Sequence, residues 1–371
     1  MTTTPPPATF ELLKDLTELP GLSGHEDAIR ARLVELLTPL TDEVRTDALG
    51  NLIALKRGTG GAGQRLMLAA HMDEIGLVVT KLDRGFLRFT SIGGINERVL
   101  PSQEVIVHAS GPGRPVEPVE TPAHGRRDLP GIVASRPPHV LSAESRKENI
   151  PSHELFVDVG LSAAELAETV SVGDVISIQR ETIQLGKGKA TGKAFDNRAC
   201  LAALILALHH LQSRLHAWDI YAVATVQEEI GLRGAITSAF GVTPDVGIAL
   251  DVTFAVQPGA SSDETVAWDK GAAIGLGPNI HPKIHEKLVE TAKASEIPYL
   301  VEVLAGNSGT DAWAMQVTQA GIATGLLSIP VRNMHTPGET LVLADIERTA
   351  RLLAAFAAGL DGETLDGLTL E

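Results

Sequence analysis

Residues 65–76 read RLMLAAHMDEIG, and at this stretch the chain changes from one kind of fold to another. Its first part, Arg65–His71, is a short apolar run that is typical of a strand buried inside a sheet. The run ends in His71, and Asp73 follows two residues later. After Gly76 the pattern turns to short strand-like runs, so we expect a second structural unit to begin there.

The region from residue 78 to residue 186 has the pattern of a small all-β unit, because Gly and Pro clusters separate short strand-like runs. These runs are Leu77–Lys81, Phe86–Ser91, Glu104–Ala109, Gly131–Ala134, Leu155–Val159 and Asp174–Gln179. We therefore predict an inserted β-barrel or sandwich over 78–186. Within it, Gly111–Pro130 is rich in Pro, Gly and charged residues and has no periodicity, which predicts a long exposed loop.

The regions on either side alternate between helical and strand-like patterns. Phe10–Leu37 has helical spacing interrupted at residues 20–24, and Val44–Leu55 reads as two strands around a turn. The later predicted helices are Asp196–Leu215, Arg233–Phe240, His281–Ser295, Thr310–Ala320 and Leu343–Leu360. The later predicted strands are Asp219–Gln227, Asp245–Val252, Ala272–Leu276, Tyr299–Val303 and Ala323–Ile329. Such alternation predicts an α/β domain over 1–77 and 187–371, with a mostly parallel sheet flanked by helices.

The composition excludes several classes of protein. Of the 371 residues, 31 are basic and 46 are acidic, so the net charge is −15, and a nucleic-acid binder or a partner of anionic membranes is not expected. Cys200 is the only cysteine, which excludes an intrachain disulfide. No apolar run approaches the ~20 residues of a membrane span, and the N-terminus lacks the features of a signal peptide. We expect a cytoplasmic protein.

Several predicted strands are followed, at their carboxyl ends, by side chains that can bind metal ions. In an open parallel sheet these ends meet at one edge, where sites form. The residues concerned are His71, Asp73, Asp196, Glu228, Glu229, Asp251 and His335. Each alone is more often structural; Asp196, for example, could simply cap a helix. As a set, carboxylates buried at one edge would repel one another unless a cation lay between them.

The donor types indicate the class of metal. Imidazole and carboxylate without thiolate suit Zn²⁺, Co²⁺ or Mn²⁺. Two His and three acidic residues suffice for two ions about 3.5–4 Å apart if one carboxylate bridges them. Adjacent residues at a strand end point in different directions, so one of Glu228 and Glu229 could bind metal while the other transfers protons.

Ten short motifs occur in order along nearly the whole chain. They are PGLSGHE (20–26), DALGNLI (47–53), AAHMDEIG (69–76), RPPHVL (136–141), LFVDVG (155–160), GKAFDNRA (192–199), VQEEIGLRGA (226–235), ALDVT (249–253), GTDA (309–312) and RNMHTPGE (332–339). Together they resemble the TET-type tetrahedral aminopeptidases of metallopeptidase family forty-two. The resemblance implies a phosphorylase/hydrolase-like α/β domain with an inserted PDZ-like β domain used in dimerisation.

The resemblance also implies a role for each metal ligand, with two divalent ions, Zn²⁺ or Co²⁺ and with Mn²⁺ as a third candidate, in each subunit. Asp196 would bridge the two ions. His71 and Asp251 would complete the coordination of one ion, and Glu229 and His335 that of the other.

The implied reaction is hydrolysis of the first peptide bond of a short peptide by a metal-activated water. Glu228 would be the general base and acid, and Asp73 would orient the imidazole of His71. Contacts to the substrate are expected from Ser308, Gly309, Thr310 and Asp311, with a leucine-like first residue as the default preference. Family members commonly assemble six dimers into a hollow tetrahedral dodecamer, so self-association is expected.

Three features depart from the family pattern. Cys200 stands where the family usually has a small glycine, four residues after Asp196, and we expect a buried, inert thiol there. Asn333 replaces a common aromatic residue, which leaves the lining of the substrate pocket open. Gly111–Pro130 is longer than the family usually allows and lies in the unit used for assembly, so both a dimer and a dodecamer remain open.

Three other functions share part of this pattern. A metal-dependent carboxypeptidase or N-deacylase of the related family twenty shares the His-x-Asp, Glu-Glu and late His pattern, but the unbroken match in the β unit argues against it. A catalytically silent, PDZ-like assembly protein would not be expected to retain Glu228 with the full ligand set. A glucanase would need two carboxylates flanking a sugar, a scheme in which the His residues have no place.

Overall fold

The first part of the chain contains two helices and three strands. A computed structural model describes residues 6–61, 63–111, 127–136, 139 and 150–368. The first elements are α1 (Thr9–Thr17), α2 (Asp27–Leu37), β1 (Glu43–Thr46), β2 (Leu52–Lys56) and β3 (Arg65–His71). The predicted break between the two helices and the predicted turn between β1 and β2 are both present.

The second part forms a small closed antiparallel barrel. Its elements are β4 (Gly76–Asp83), β5 (Phe86–Ile92), β6 (Glu104–Ala109), β7 (Arg127–Ala134), β8 (Phe156–Asp158), α3 (Ala163–Thr169) and β9 (Val175–Ile178). The strands close in the order β4-β5-β8-β7-β6-β9 around an aliphatic core of their own. The predicted all-β unit is therefore present, whereas its PDZ-like identity stays a prediction.

The prediction of a loop over Gly111–Pro130 is wrong at its C-terminal end. Residues 127–130 belong to β7, where Leu129 pairs with Val107 and Asp128 with His108 of β6. Hydrogen bonds to a neighbouring strand, which no local pattern reveals, stabilise this segment as a strand. Residues 112–126 lie outside the described part of the chain.

The third part alternates between strands and helices. Its elements are β10 (Ile183–Leu185), β11 (Lys189–Gly192), α4 (Phe195–Leu211), β12 (Asp219–Thr225), α5 (Arg233–Val242), β13 (Val246–Phe254), β14 (Ala272–Leu276), α6 (Pro282–Ala294), β15 (Tyr299–Val303), α7 (Asp311–Gln316), β16 (Ala323–Val331), β17 (Glu339–Val342) and α8 (Leu343–Ala358). The predicted alternation is confirmed, with ends that differ by a few residues.

An eight-stranded mixed sheet organises the α/β part, in the order β1-β2-β12-β3-β13-β16-β14-β15. The four central strands β12, β3, β13 and β16 are mutually parallel. β2 is antiparallel to β12, and β14 is antiparallel to β16. The carboxyl ends of the central strands therefore lie at one edge, as the prediction of a mostly parallel sheet requires.

Helices cover both faces of the sheet. Along β3, Leu66, Leu68 and Ala70 contribute to the larger core, beneath α1, α4 and α8, whereas Met67 and Ala69 contribute to the smaller core beneath α5 and α7. Because side chains alternate between faces along a strand, His71 lies on the same face as Met67 and Ala69. No helix in the described residues is long and apolar enough to cross a membrane.

A second, three-stranded sheet, in the order β10-β11-β17, was not predicted. All three residues of β10 are exposed, and its alternation, Ile-Gln-Leu, spans only three residues, too few to predict a strand. In this sheet, β10 and β11, which follow the barrel in the chain, pair with β17, the strand that precedes α8. The domain limits 1–77, 78–186 and 187–371 stay a prediction.

Candidate metal centre

Neighbouring parallel strands bring His71 and Asp251 to one edge of the sheet. Both side chains lie on the face of the sheet that α5 and α7 cover, since each is two residues beyond an alanine of the smaller core. His71 is 1% and Asp251 5% exposed, so the two groups face each other away from bulk water. Their closest atoms, His71 Nε2 and Asp251 Oδ1, are 3.9 Å apart.

Asp196 lies between two imidazoles. Its Oδ1 is 3.1 Å from His71 Nε2, and its Oδ2 is 3.3 Å from His335 Nε2. The N-cap of α4 is Ala194 rather than Asp196, and the Asp196 backbone, with φ −76° and ψ 100°, departs from helical geometry. The carboxylate is therefore directed at the two histidines and does not cap the helix.

The two adjacent glutamates approach different histidines. Glu228 Oε2 is 3.7 Å from His71 Nε2, and Glu229 Oε2 is 3.6 Å from His335 Nε2. Ligand atoms within 4.8 Å of one another form two groups in the described residues, His71–Asp196–Glu229 and His71–Glu228–Asp251. The structure thus brings six of the seven predicted side chains into one cluster, and Asp73 is the seventh. Their individual roles stay predictions.

The carboxylate of Asp73 lies closer to the backbone N–H groups of the two glutamates than to the imidazole of His71. Its Oδ1 is 3.5 Å from His71 Nδ1, a distance too long for a good hydrogen bond. The same carboxylate accepts hydrogen bonds from the backbone N–H groups of Glu228 (2.9 Å) and Glu229 (3.2 Å) and from the Ser23 hydroxyl (2.6 Å). It therefore holds the turn that carries both glutamates.

Sequence reasoning missed Glu339 and Glu26. Glu339 is fully buried and accepts hydrogen bonds from the backbone N–H groups of His335 (2.9 Å) and Asp196 (3.1 Å). Glu26 accepts hydrogen bonds from the backbone N–H groups of Gly24 and Gln227. Both glutamates end quoted motifs, PGLSGHE and RNMHTPGE, and an acidic residue within a family motif was the available signal.

Buried negative charge raises the pKa of several of these acids. Burial, followed by the charge of Asp251, raises the pKa of Glu228 to about 10, despite the opposing effect of His71. Burial and Asp196 raise the pKa of Glu229 and of Glu339 to about 8. These acids therefore bind protons tightly when no cation is present.

The same surplus of carboxylates raises the pKa values of the two histidines. The carboxylate of Asp196 raises the pKa of His335 to about 9. Burial alone would lower the pKa of His71, but Glu228, Asp196 and Asp73 outweigh it. A cluster of imidazoles and surplus carboxylates without thiolate, all within a few ångströms, fits divalent cations such as Zn²⁺.

The loop predicted to contact substrate ends beside the cluster. Ser308, Gly309 and Thr310 precede α7, and the hydroxyl of Thr310 caps that helix. Asp311 is 1% exposed, and its Oδ2 accepts a 2.6 Å hydrogen bond from Thr225, which is paired with His71 across the sheet. Its buried Oδ1 has no partner in the described residues. A role in substrate binding stays a prediction for all four.

The two positions at which single residues depart from the family pattern, Cys200 and Asn333, fit their local structure. Cys200 is fully buried, and its thiol donates to the backbone carbonyl of Asp251 at 3.0 Å. Burial raises the pKa of this thiol, in keeping with the expected inert group. Asn333 has φ 56°, a left-handed conformation that Asn tolerates well, and its side chain donates to the carbonyl of Gly338.

Imidazoles and carboxylates gathered at the carboxyl ends of parallel strands form a candidate metal site of a kind that metal-dependent hydrolases use. A family model described as M42 glutamyl aminopeptidase matches residues 50–352. The chain therefore belongs to metallopeptidase family forty-two, as the motifs suggested, and it is a hydrolase of peptide bonds. Membership of this family implies divalent metal ions, with which the cluster is compatible.

Individual relatives are similar to this chain over nearly its whole length. A lysyl aminopeptidase of Pyrococcus furiosus is 38% identical, over 94% of this chain and 96% of its own. An aminopeptidase from Desulfurococcus kamchatkensis has a structure similar to this one with TM-score 0.88 and 36% identity, covering 98% of both chains. The TET1 peptidase of Pyrococcus horikoshii, which can assemble into a tetrahedron or a large octahedral shell, gives TM-score 0.81 and 32% identity over 95% of this chain and 100% of its own.

Proposed function

We propose that this chain is a dinuclear metal aminopeptidase that removes N-terminal residues from short peptides. The observation that carries the proposal is the position of Asp196, whose two carboxylate oxygens each face a different imidazole, at 3.1 and 3.3 Å. A single carboxylate between two nitrogen donors is compatible with two neighbouring cations that share one ligand, which supports the dinuclear part of the proposal. The aminopeptidase relatives support the choice of reaction.

The donor set divides naturally into two halves around Asp196. His71 and Asp251 would hold one ion, and Glu229 and His335 the other. Zn²⁺ and Co²⁺ fit these donors, with Mn²⁺ as a third candidate. When bound, the ions would supply Lewis-acid polarisation of the scissile carbonyl and of the attacking water.

Glu228 is the residue that would move protons. Its backbone N–H donates to Asp73, which positions it beside His71 and leaves its side chain at the cluster. As general base it would take a proton from the attacking water, and as general acid it would give that proton to the leaving amine. Burial raises the pKa of Glu228 in the metal-free chain, and bound cations would lower it towards the range in which its carboxylate can accept a proton.

The organisation around this centre is also part of the proposal. Residues 1–77 and 187–371 would form the catalytic domain, and the barrel of 78–186 would serve dimerisation. The assembly would be a dimer, or six dimers in a tetrahedral dodecamer like those of the TET relatives. We place the enzyme in the cytoplasm, acting on short peptides.

The test compares free and N-acetylated aminoacyl p-nitroanilides after removal of metal with EDTA and reloading with Zn²⁺, Co²⁺ or Mn²⁺. We expect metal-dependent hydrolysis of the free-amine substrates alone and loss of turnover in Glu228→Gln. Glu290→Gln, the same change on the exposed face of α6, is the matched control and should retain full activity.

The other outcomes are informative as well. Hydrolysis of acylated substrates alone would replace the proposal with the deacylase alternative. Absence of turnover with every metal, in a chain that still binds two ions, would favour a catalytically silent relative. One bound ion per chain at full activity would contradict the dinuclear part of the proposal.

A further inference from the structure

Two hydroxyl side chains flank the predicted ligand Asp251. Thr253 is two residues further along β13, so its side chain lies on the same face, about 7 Å away. Ser328 of β16 is directly opposite Asp251 in the parallel register and shares that face too. β13 extends past the metal centre to Phe254, which is 54% exposed, so Thr253 lies on the side of Asp251 that leads towards solvent.

The carboxyl group of Glu302, on β15, approaches these two hydroxyls. Its Oε1 accepts a short hydrogen bond from the Thr253 hydroxyl. Burial raises the pKa of Glu302, and the hydroxyls of both Thr253 and Ser328 oppose that rise. The carboxyl group thus contacts the hydroxyl of Thr253, two residues beyond Asp251, and belongs to neither group of possible metal ligands.

Among the described residues, no Lys or Arg forms an ion pair with Glu302. Its Oε2 is buried and makes no hydrogen bond of good geometry there, although the Ser328 hydroxyl lies close enough to lower the pKa of this group. A buried carboxylate oxygen without a donor is costly and calls for a specific explanation. An ammonium or guanidinium group brought by a ligand would supply the missing donor and charge.

The position of Glu302 suits the side chain of a substrate's first residue. An extended lysine places its ammonium about 6 Å from its Cα, since five bonds of roughly 1.5 Å separate them. This reach is comparable to the distance along β13 from Asp251 to Thr253. The chain that leaves β15 after Glu302 continues into the loop Ser308–Asp311, which was predicted to contact substrate.

We propose that Glu302 is a specificity-determining residue and that the enzyme prefers peptides whose first residue is Lys or Arg. This inference rests on the proposed aminopeptidase function and replaces the default expectation of a leucine-like preference. The carboxylate of Glu302 would accept hydrogen bonds from the cationic end of the substrate side chain, while Thr253 holds the carboxylate in place.

The test measures kcat/KM for Lys, Arg, norleucine, Leu and Glu p-nitroanilides, because norleucine has the carbon skeleton of lysine without its charge. We expect wild type to prefer Lys over norleucine by about tenfold or more. Glu302→Gln, which keeps the shape and removes the charge, should lower kcat/KM for Lys by roughly tenfold to a hundredfold and leave norleucine nearly unchanged. Glu290→Gln is the matched control and should change neither value.

A binding measurement avoids dependence on turnover. Free L-lysine should raise the melting temperature of the metal-loaded enzyme more than free L-norleucine does, and Glu302→Gln should abolish the difference. If Glu302→Gln fails to fold, Thr253→Val removes only the hydroxyl that holds the carboxylate and should reduce the preference for Lys over norleucine.

Two results would overturn the inference while leaving the proposed function intact. One is a wild-type preference for Leu, norleucine or Glu over Lys. The other is an equal loss for every substrate in Glu302→Gln, which would indicate a structural role. Absence of hydrolysis of all free-amine substrates would instead overturn the proposed function, and the inference with it.

Discussion

The acids of the metal centre are positioned mainly by backbone N–H groups and one hydroxyl. Asp73 accepts hydrogen bonds from Ser23 and from the backbone of Glu228 and Glu229, and Glu339 accepts them from the backbone of His335 and Asp196. Such donors fix a carboxylate without neutralising its charge. The acids are therefore held in a rigid arrangement, and a bound divalent ion would favour their ionised forms.

Ser23→Ala tests whether Asp73 positions the catalytic turn. Ser23 is 6% exposed and donates a 2.6 Å hydrogen bond to Asp73, so its removal leaves that carboxylate freer to move and the turn at Glu228 less constrained. Loss of a hydrogen bond to a charged group costs about 2 kcal/mol, and we expect kcat to fall by up to roughly thirtyfold with little change in KM. Steady-state kinetics on the metal-loaded enzyme provides the measurement.

Ser213→Ala, the same change at an exposed site, serves as the control for Ser23→Ala. A rise in KM at constant kcat would contradict the positioning role, and so would unchanged kinetics.

Metal removal should make stability depend on pH in a defined direction. The folded-state pKa of Glu26 is about 7, that of Glu229 and Glu339 about 8, and that of His335 about 9, all above their ordinary values. The folded metal-free chain therefore binds more protons than the unfolded chain over this range, and its free energy of unfolding must fall as pH rises from about 5 to about 9. Asp196, whose pKa is lowered, is already ionised throughout.

Thermal melting between about pH 5 and about pH 9, with EDTA or with bound metal, measures this dependence. The metal-free protein should melt at progressively lower temperature as pH rises, whereas the metal-loaded protein should show a flatter profile because cations replace the protons. A melting temperature of the metal-free protein that stays constant or increases over this range would contradict the prediction.

Among the secondary-structure elements, α5 begins shortly after the turn that carries Glu228 and Glu229 and is packed against it. The backbone N–H of Gly234 donates to the carbonyl of Val226 at 2.9 Å, and Asn51 accepts from the N–H of Val226 at 3.0 Å. A Cβ on Gly234 would clash with the backbone of Val226 and with the Asn51 side chain. Only glycine lets the helix approach the turn this closely.

Gly234→Ala should therefore destabilise the protein by about 3 kcal/mol, since the clash is with backbone that cannot rotate away. It should also reduce kcat, because the displaced turn carries Glu228. Gly241→Ala in the same helix is the matched control: a Cβ there meets nothing within 4 Å, and the change should be neutral or stabilise by up to about 1 kcal/mol. Equal melting temperatures for the two variants would contradict this explanation.

Over the whole molecule, the outer surface of α5 and α7 exposes apolar side chains that one chain leaves uncovered. Ile236 is 44%, Phe240 65%, Trp313 39% and Val317 57% exposed, and the two helices pack against each other. Apolar residues gathered in this way mark a surface used in association more often than scattered ones do. The patch supports the proposed self-association independently of the barrel.

Phe240→Glu should shift the assembly to smaller species, because a charge in a buried interface must be desolvated without a partner. Sedimentation velocity provides the mass, with one chain at 39.1 kDa. Leu215→Glu replaces an isolated apolar residue that is 84% exposed and should leave the mass unchanged. A monomeric wild type, or the same mass for wild type and Phe240→Glu, would contradict the prediction.

The element order could be predicted from the sequence because buried strands and amphipathic helices leave local periodic patterns. Arg65–His71 and Glu104–Ala109 are strands over the predicted residues, as are Ala272–Leu276 and Tyr299–Val303. β10, β11 and β17 escaped prediction because short strands that depend on pairing partners distant in sequence carry little local signal. The first residues of β7 escaped for the same reason.

For the candidate site, too, some properties could be predicted from the sequence and others depend on the tertiary structure. The residue types at the strand ends indicated a metal centre, since imidazole, carboxylate and the absence of thiolate are properties of the sequence alone. Which oxygen faces which imidazole, the hydrogen bonds of Ser23 and Glu339 to the centre, and the approach of Glu302 to Thr253 depend on the tertiary structure. The contacts Ser23–Asp73, Asp196–Glu339 and Thr253–Glu302 join residues 49 to 143 positions apart. Only the packing and register of the folded chain bring such residues together, because no local pattern encodes a distance between them.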